Sequence, residues 1–183
     1  MNLQPVLAGK LLTLRPMREE DFASLYAAAA DPLLWAQHPA SDRHKKNVFE
    51  DFFRLAMQSG GALVAIDETT GQIIGSSRYN AYDSEKDEVE IGWTFLARSH
   101  WGGLVNAEMK ELMLTHAFDF VGNVIFRVGV TNLRSQQAMK KIGGVMVGTC
   151  PDAAGNDSYV YRITRSEFKQ LALATRGCRA RPE

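Results

Sequence analysis

The chain has 183 residues, 45% of them apolar, enough for one compact domain with a continuous core and too few for a second full one. Lysine plus arginine and aspartate plus glutamate both number 21, so the formal net charge is zero and no global basic field draws the protein to nucleic acid or an acidic membrane. The two cysteines, Cys150 and Cys178, stand in unrelated contexts, which argues against a disulfide framework or a zinc knuckle.

Residues 11–15 predict a first strand, broken by Pro16 before an Ala-rich helix over 19–30 that Asp31-Pro32 ends. An irregular stretch over 33–43 carries Trp35, His38 and Pro39. Val48, Phe49, Phe52, Phe53, Leu55 and Ala56 then recur at helical spacing until Gly60-Gly61 stops the helix. Three strands follow closely, over 62–67, 73–79 and 88–96, with turns at Thr70-Gly71 and 83–87, and they predict an antiparallel meander. Residues 104–121 predict the longest helix, with Val105, Met109, Leu112, Met113, Ala117 and Phe120 as one apolar stripe. After Gly122-Asn123 the pattern predicts a strand over 124–130, a helix over 133–142, strands over 145–150 and 158–164, and a short helix over 166–174, with 176–183 as a loose tail. A meander ahead of strand–helix–strand units predicts an α/β (α+β) fold, a mixed, mostly antiparallel central sheet of about seven strands with helices on both faces.

Residues 1–10 carry no positive segment leading into an apolar core and cleavage site, and no apolar run approaches the roughly 18 residues of a spanning helix. A cytoplasmic protein is the simplest expectation.

The run Arg98-Ser99-His100-Trp101-Gly102-Gly103-Leu104-Val105-Asn106 joins the strand ending at Leu96 to the long helix. Paired glycines let backbone N–H groups converge on a ligand, and the free donors and positive dipole end of a helix start favour a phosphate. The same residues also suit an ordinary tight turn. The run is neither a Walker loop, which ends in Gly-Lys-Ser/Thr, nor a three-glycine dinucleotide fingerprint.

This run resembles the coenzyme A diphosphate loop of the GNAT acetyltransferases, Gln/Arg-x-x-Gly-x-Gly/Ala. Within that family it looks closest to the RimJ/RimL-like branch, whose loop reads Trp-Gly-x-x-x-Asn followed by an acidic residue and a lysine. Trp101, Gly102, Asn106, Glu108 and Lys110 match that form. A second block, from Asn132-Leu133-Arg134-Ser135 through Ile142-Gly143, resembles the branch's Asn-x-Arg-Ser-x-x-Ala-x-x-x-Ile/Leu-Gly. Two positions depart from the family pattern. Leu104 stands where the wider family has its second glycine, and Met139 stands where many relatives carry a tyrosine acid, which excludes a tyrosine-assisted mechanism at that position.

Chain length predicts a single domain, taken as 1–175, and the resemblance, which extends over about residues 9–170, implies an acetyl-CoA-dependent N-acetyltransferase. Acetyl-CoA would be the acyl-donor cosubstrate, a primary amine would attack it directly, and no metal would take part. The acceptor in the branch is a protein N-terminal α-amine. A small amine is the second option, and a catalytically silent acetyl-CoA-binding sensor is the non-enzymatic one. Nucleic acid and membrane partners are not expected, and a homodimer is in keeping with the family.

The resemblance also lays the pantetheine arm along the strand over 88–96, bound by backbone groups near Phe95 and Leu96, with a backbone N–H near Thr94 facing the oxyanion. Trp101, Gly102, Gly103, Val105, Asn106 and Asn132 complete the implied cofactor set. Ser135 falls beside the sulfur, where it would protonate or hydrogen-bond the thiolate; as a first-turn helix residue it also has a purely local reading. Asn132 bonds the pantetheine amides, caps the helix beginning at Leu133, or does both.

Alternation along 88–96 sets Glu88, Glu90, Gly92 and Thr94 on one face, opposite Val89, Ile91, Trp93 and Phe95. Glu90 is expected to accept the amine proton, directly or through a water; its other reading is an exposed strand carboxylate. Trp35 and His38 lie on the connection that walls the acceptor site in the family and are the substrate-binding candidates, Trp35 otherwise packing on the second helix. His116 reads as a satisfied core histidine. The histidines and cysteines show no metal-ligand spacing.

Overall fold

The computed structural model describes residues 1–152 and 155–171. The expected tail over 176–183, and the end of the closing helix beyond 171, lie outside the described residues.

The meander forms as its turn chemistry dictates: β3 (Ala62–Asp67), β4 (Ile73–Asp83) and β5 (Glu88–Leu96) are successive antiparallel neighbours. On one side β3 pairs with β2 (Leu12–Pro16), which pairs with the two-residue β1 (Leu7–Ala8). On the other side lie β6 (Asn123–Gly129), β8 (Asp157–Thr164) and the edge strand β7 (Val145–Pro151). The sheet thus has eight strands in the order β1-β2-β3-β4-β5-β6-β8-β7, one more than expected, because β1 is too short to show an alternation. The β5–β6 pair is parallel, as the helix between the two strands requires.

Two core clusters occupy the two sides of the sheet. The smaller one packs α1 (Phe22–Ala29), α2 (Pro32–Trp35) and α3 (Lys46–Gln58) against Ala62, Val64 and Phe95. In α3, Phe49, Phe52, Phe53 and Ala56 follow the i, i+3, i+4, i+7 spacing and are all buried. Asp31-Pro32 starts α2 as well as ending α1: the Asp31 carboxylate accepts the Leu33 amide at 2.9 Å, and Pro32 takes the first helical position. The larger cluster packs α4 (Val105–Phe118), with Met139 of α5 (Leu133–Lys141), against the opposite side. The buried face of α4 is Met109, Lys110, Met113, Leu114, Ala117 and Phe118. The expected stripe is therefore corrected: Phe120 lies beyond the helix and is exposed, and Lys110, Leu114 and Phe118 join the buried face.

A bulge in β5 sets the geometry of everything downstream. Ser76 pairs with Phe95 and Arg78 with Gly92, so Ser77 faces the two residues Trp93 and Thr94, and Trp93 takes a φ of +50°. The extra residue reverses the alternation. Val89 and Ile91 belong to the α4-side cluster, whereas Phe95 belongs to the α1–α3 side and Thr94 points toward α4. The expectation that Phe95 shares a face with Ile91 is corrected accordingly. At Gly75 a side chain would stand 2.1 Å from the Phe95 carbonyl oxygen, so glycine is what lets β4 close on β5 beside the bulge.

Candidate functional site

β5 and β6 pair only at Glu88 with Asn123, Val89 with Val124 and Glu90 with Ile125. Beyond these residues the strands no longer pair, which leaves the C-terminal half of β5 without β6 beside it and makes the gap between them, ahead of the loop that leads into α4, the candidate cleft. No side chain caps that helix. Glu108 supplies its first amide bonded back, to the Leu104 carbonyl at 2.8 Å, leaving the amides of Val105, Asn106 and Ala107 without a partner among the described residues. Gly102 has a φ of +72°, and a side chain added at Gly102 or Gly103 would meet no atom within 4 Å, so this backbone is open to a ligand. Free amides, a positive helix end and an open glycine loop fit a diphosphate.

Trp101 fastens this loop. Its indole Nε1 donates to the Leu96 carbonyl at 2.9 Å, and the Arg134 guanidinium lies 3.8 Å from a ring centroid. Arg134 donates in turn to the Leu34 carbonyl at 3.0 Å. The Leu96 carbonyl is thus already engaged by Trp101, and the Leu96 and Phe95 side chains are both buried. Neighbouring polar groups have structural partners too: His100 Nε2 lies 3.3 Å from Asp67, and Arg98 is ion-paired with Asp31.

At the start of α5 the Asn132 side chain accepts the Ser135 amide at 3.1 Å, a helix cap, and Asn132 is buried. The Ser135 hydroxyl has no partner among the described residues and is partly exposed. Met139 is packed in the core.

Glu90 is 5% exposed and so is not a solvated strand carboxylate. Its Oε2 accepts from Asn80 Nδ2 at 3.2 Å and forms an ion pair with Arg127. Its Oε1 lies over Gly92, where a side chain would come within 3.6 Å.

Trp35 is 2% exposed. Its Nε1 donates to the Ala29 carbonyl at 2.8 Å and its ring packs on Phe95 and edge-on to His38, so it backs the wall from inside the core. Burial, then the charges of Arg43 and Arg134, hold the His38 imidazole down to about 4, which keeps it neutral. His116 bonds the Asn2 carbonyl at 2.8 Å and packs between Tyr79 and Phe120, as expected of a satisfied histidine.

Four further residues take positions that the sequence motifs did not assign, Glu108 and Lys110 having matched the loop pattern by type, Arg43 lying on the connection with Trp35 and His38, and Arg78 carrying no signal. Lys110 is buried and donates to Thr94 Oγ1 at 2.8 Å. Its signal was its place one turn before Met113 and Leu114. The Glu108 carboxylate accepts the amides of Lys10, Leu11 and Leu12 at 2.8, 2.7 and 3.1 Å, tying the amino-terminal segment to α4. Arg43 and Arg78 lie on the α1–α3 side, over the rings of Trp35 and Phe52 and of Trp93. Among the described residues no cluster of three or more His, Cys, Asp or Glu is arranged to hold a metal. No helix among them is long and apolar enough to cross a membrane.

A sequence profile of the acetyltransferase (GNAT) domain matches residues 12–145. No curated protein sequence matches the chain. Among solved structures, a GCN5-related N-acetyltransferase from Brucella melitensis is similar with a TM-score of 0.84 and 17% identity, over 95% of this chain and 85% of that one. Mycobacterium smegmatis RimJ in complex with CoA-disulfide gives 0.67 and 21%, over 93% and 92%. An acetyltransferase from Agrobacterium tumefaciens gives 0.70 and 24%, over 88% and 95%. At these identities the structural likenesses speak for the fold.

Proposed function

The chain belongs to the GNAT acetyltransferase family, and from that premise we propose that it transfers acetyl from acetyl-CoA directly to a primary amine, as a member of the RimJ/RimL-like branch. The observation that carries this reading is the parting of β5 and β6 beyond Glu90 and Ile125, next to the uncapped start of α4.

Acetyl-CoA, when bound, supplies the acetyl group as a thioester. The amides of Val105 and Asn106 and the open backbone of Gly102 and Gly103 hold the diphosphate. Trp101 keeps that loop against the end of β5. The edge of β5 near Phe95 and Leu96 that β6 leaves unpaired, where the Leu96 carbonyl is already taken by Trp101, lines the pantetheine arm together with Asn132. The bulge leaves one residue of β5 out of the ladder, and the amide near Thr94 is the donor for the developing oxyanion.

Glu90 takes the amine proton through a water. Asn80 and Arg127 both engage Oε2, leaving Oε1 as the accepting atom over Gly92. Ser135, whose hydroxyl is uncommitted, donates to the leaving sulfur. His38 contributes a neutral wall on the acceptor side.

Calorimetric titration with acetyl-CoA, followed by thiol release against a panel of peptides and small amines, tests the reading. Binding with release on an acceptor is the expected result. Binding without release on any acceptor favours a silent coenzyme sensor, and absence of binding overturns the proposal.

A further inference from the structure

Arg78 is 6% exposed, none of its guanidinium nitrogens has a hydrogen-bond partner among the described residues, and its Nε is sealed from solvent. Its Cζ lies 4.5 Å from the centroid of the Trp93 ring, at the bulge. Arg43 is held over Trp35 and Phe52, with its Cζ 5.0 and 4.6 Å from the ring centroids. Its Nη1 comes within 3.4 Å of His38 Nε2. His38 Nδ1 accepts the Ala40 amide at 2.9 Å, however, which puts the proton of the neutral ring on Nε2. The contact with Arg43 is therefore donor against donor, and Arg43, which is partly exposed, has no other hydrogen-bond partner among the described residues.

Neither arginine has an ion pair among the described residues. Burial lowers both guanidinium groups to about 10, and the charge of Arg78 adds to the effect on Arg43. The carboxylates that act on them are Asp42 on Arg43 and Glu90 on Arg78, and Glu90 is already committed to Arg127. A desolvated cation without a hydrogen-bond partner is costly, and the cost is recovered when an anion completes it. Planar forks fixed on aromatic faces suit the two oxygens of a carboxylate.

The placement gives the ligand its second feature. Arg78 is opposite Gly92 and Asn80 is opposite Glu90, so Arg78 and Glu90 are diagonal neighbours on one face of the sheet. An unpaired cation thus stands on the same face as the carboxylate assigned to the amine, one register step away.

Resting on the transferase reading above, we infer that the acceptor is a small amine that carries a carboxylate close to the amino group, the carboxylate being held by Arg43 and Arg78.

The test is thiol release with acetyl-CoA on free amino acids, each beside its amide and its decarboxylated amine, after coenzyme A affinity has been measured by calorimetry. The acids should exceed their amides by roughly a hundredfold in kcat/KM, and Arg78→Gln or Arg43→Gln should abolish that preference while leaving coenzyme A affinity unchanged. Thermal melting of both variants keeps the result interpretable. Removing an unpaired buried charge should not lower Tm, whereas a purely structural arginine would lower Tm and leave the acid-to-amide ratio intact. Equal rates on acids and amides, preference for peptide amines, or coenzyme A binding with no acetylated amino acid overturns the inference. Failure to bind coenzyme A removes the transferase reading itself.

Discussion

The ammonium nitrogen of Lys110, on a side chain that is 4% exposed, donates at 2.8 Å to the hydroxyl of Thr94. That hydroxyl lies 2.7 Å from Ser77 Oγ, and the Lys110 nitrogen stands 5.0 Å from the Phe126 ring centroid. A lysine from α4 therefore reaches the bulge with no carboxylate paired to it among the described residues, and burial alone lowers it to about 7.

This gives a stability prediction with a defined sign. Between the folded value of about 7 and the ordinary value of 10.5, the unfolded chain binds a proton that the folded chain does not. Stability contributed at this site is therefore lost as pH falls through that window, and it is level below about 7. Lys110→Met should be more stable than the parent at neutral pH by roughly 2–4 kcal/mol, the difference shrinking toward pH 10.5. Urea melts across that range measure it, and a pH-independent difference contradicts the assignment.

Glu90→Gln should lower the rate of thiol release by roughly a hundredfold while acetyl-CoA affinity stays constant. Stopped-time assays on one acceptor decide it. An unchanged rate assigns the proton to another group.

Glu108→Ala withdraws one carboxylate from three amides at once. A loss of about 2 kcal/mol in stability is expected, since bonds to a charged acceptor are the stronger kind. The first turn of α4 should also bind coenzyme A less tightly, which calorimetry would register as a raised Kd.

Asp21 is 4% exposed, makes two 2.7 Å bonds with Arg15, and accepts the Arg18 amide at 2.8 Å. Burial pushes its carboxyl up, but Arg15 and Arg18 together outweigh burial and the net displacement is downward. Its contribution is complete above the ordinary carboxyl value of 3.8 and is lost as pH falls through the lower folded value. Asp21→Asn should cost about 3 kcal/mol at neutral pH, because it leaves Arg15 short of a partner. The gap to the parent should narrow in strong acid, read by chemical melts from pH 6 downward.

Elements with strong local signals were legible in the sequence. The limits of β3 and β5 agree with the turn chemistry around them, and α3 follows from the spacing of its four buried residues. The loop at Gly102-Gly103 stood out because paired glycines before a helix are chemically distinctive. The bulge did not, because Trp93 adopts a positive φ without a glycine to mark it, and one extra residue silently exchanges the faces of Thr94 and Phe95. Arg43 was legible only by its place on the connection beside Trp35 and His38, and Arg78 carried no signal, since the isolation of both from partners depends on rings contributed by α2, α3 and β5. Lys110 matched the branch motif by type, yet its burial follows from the rotational setting of α4, which no single position reveals.

Gly9 gives an engineer a remote handle on cofactor affinity. A methyl group there would stand 2.7 Å from the Glu108 carboxyl, the clasp between the amino-terminal segment and the helix whose first turn we propose as the diphosphate site. Trimming or fusing the chain ahead of β2 pulls on that same clasp, so the amino terminus is the wrong end for an affinity tag placed flush against the domain. Libraries meant to tune the enzyme's hold on its donor gain by including Gly9, which acts through the Glu108 clasp.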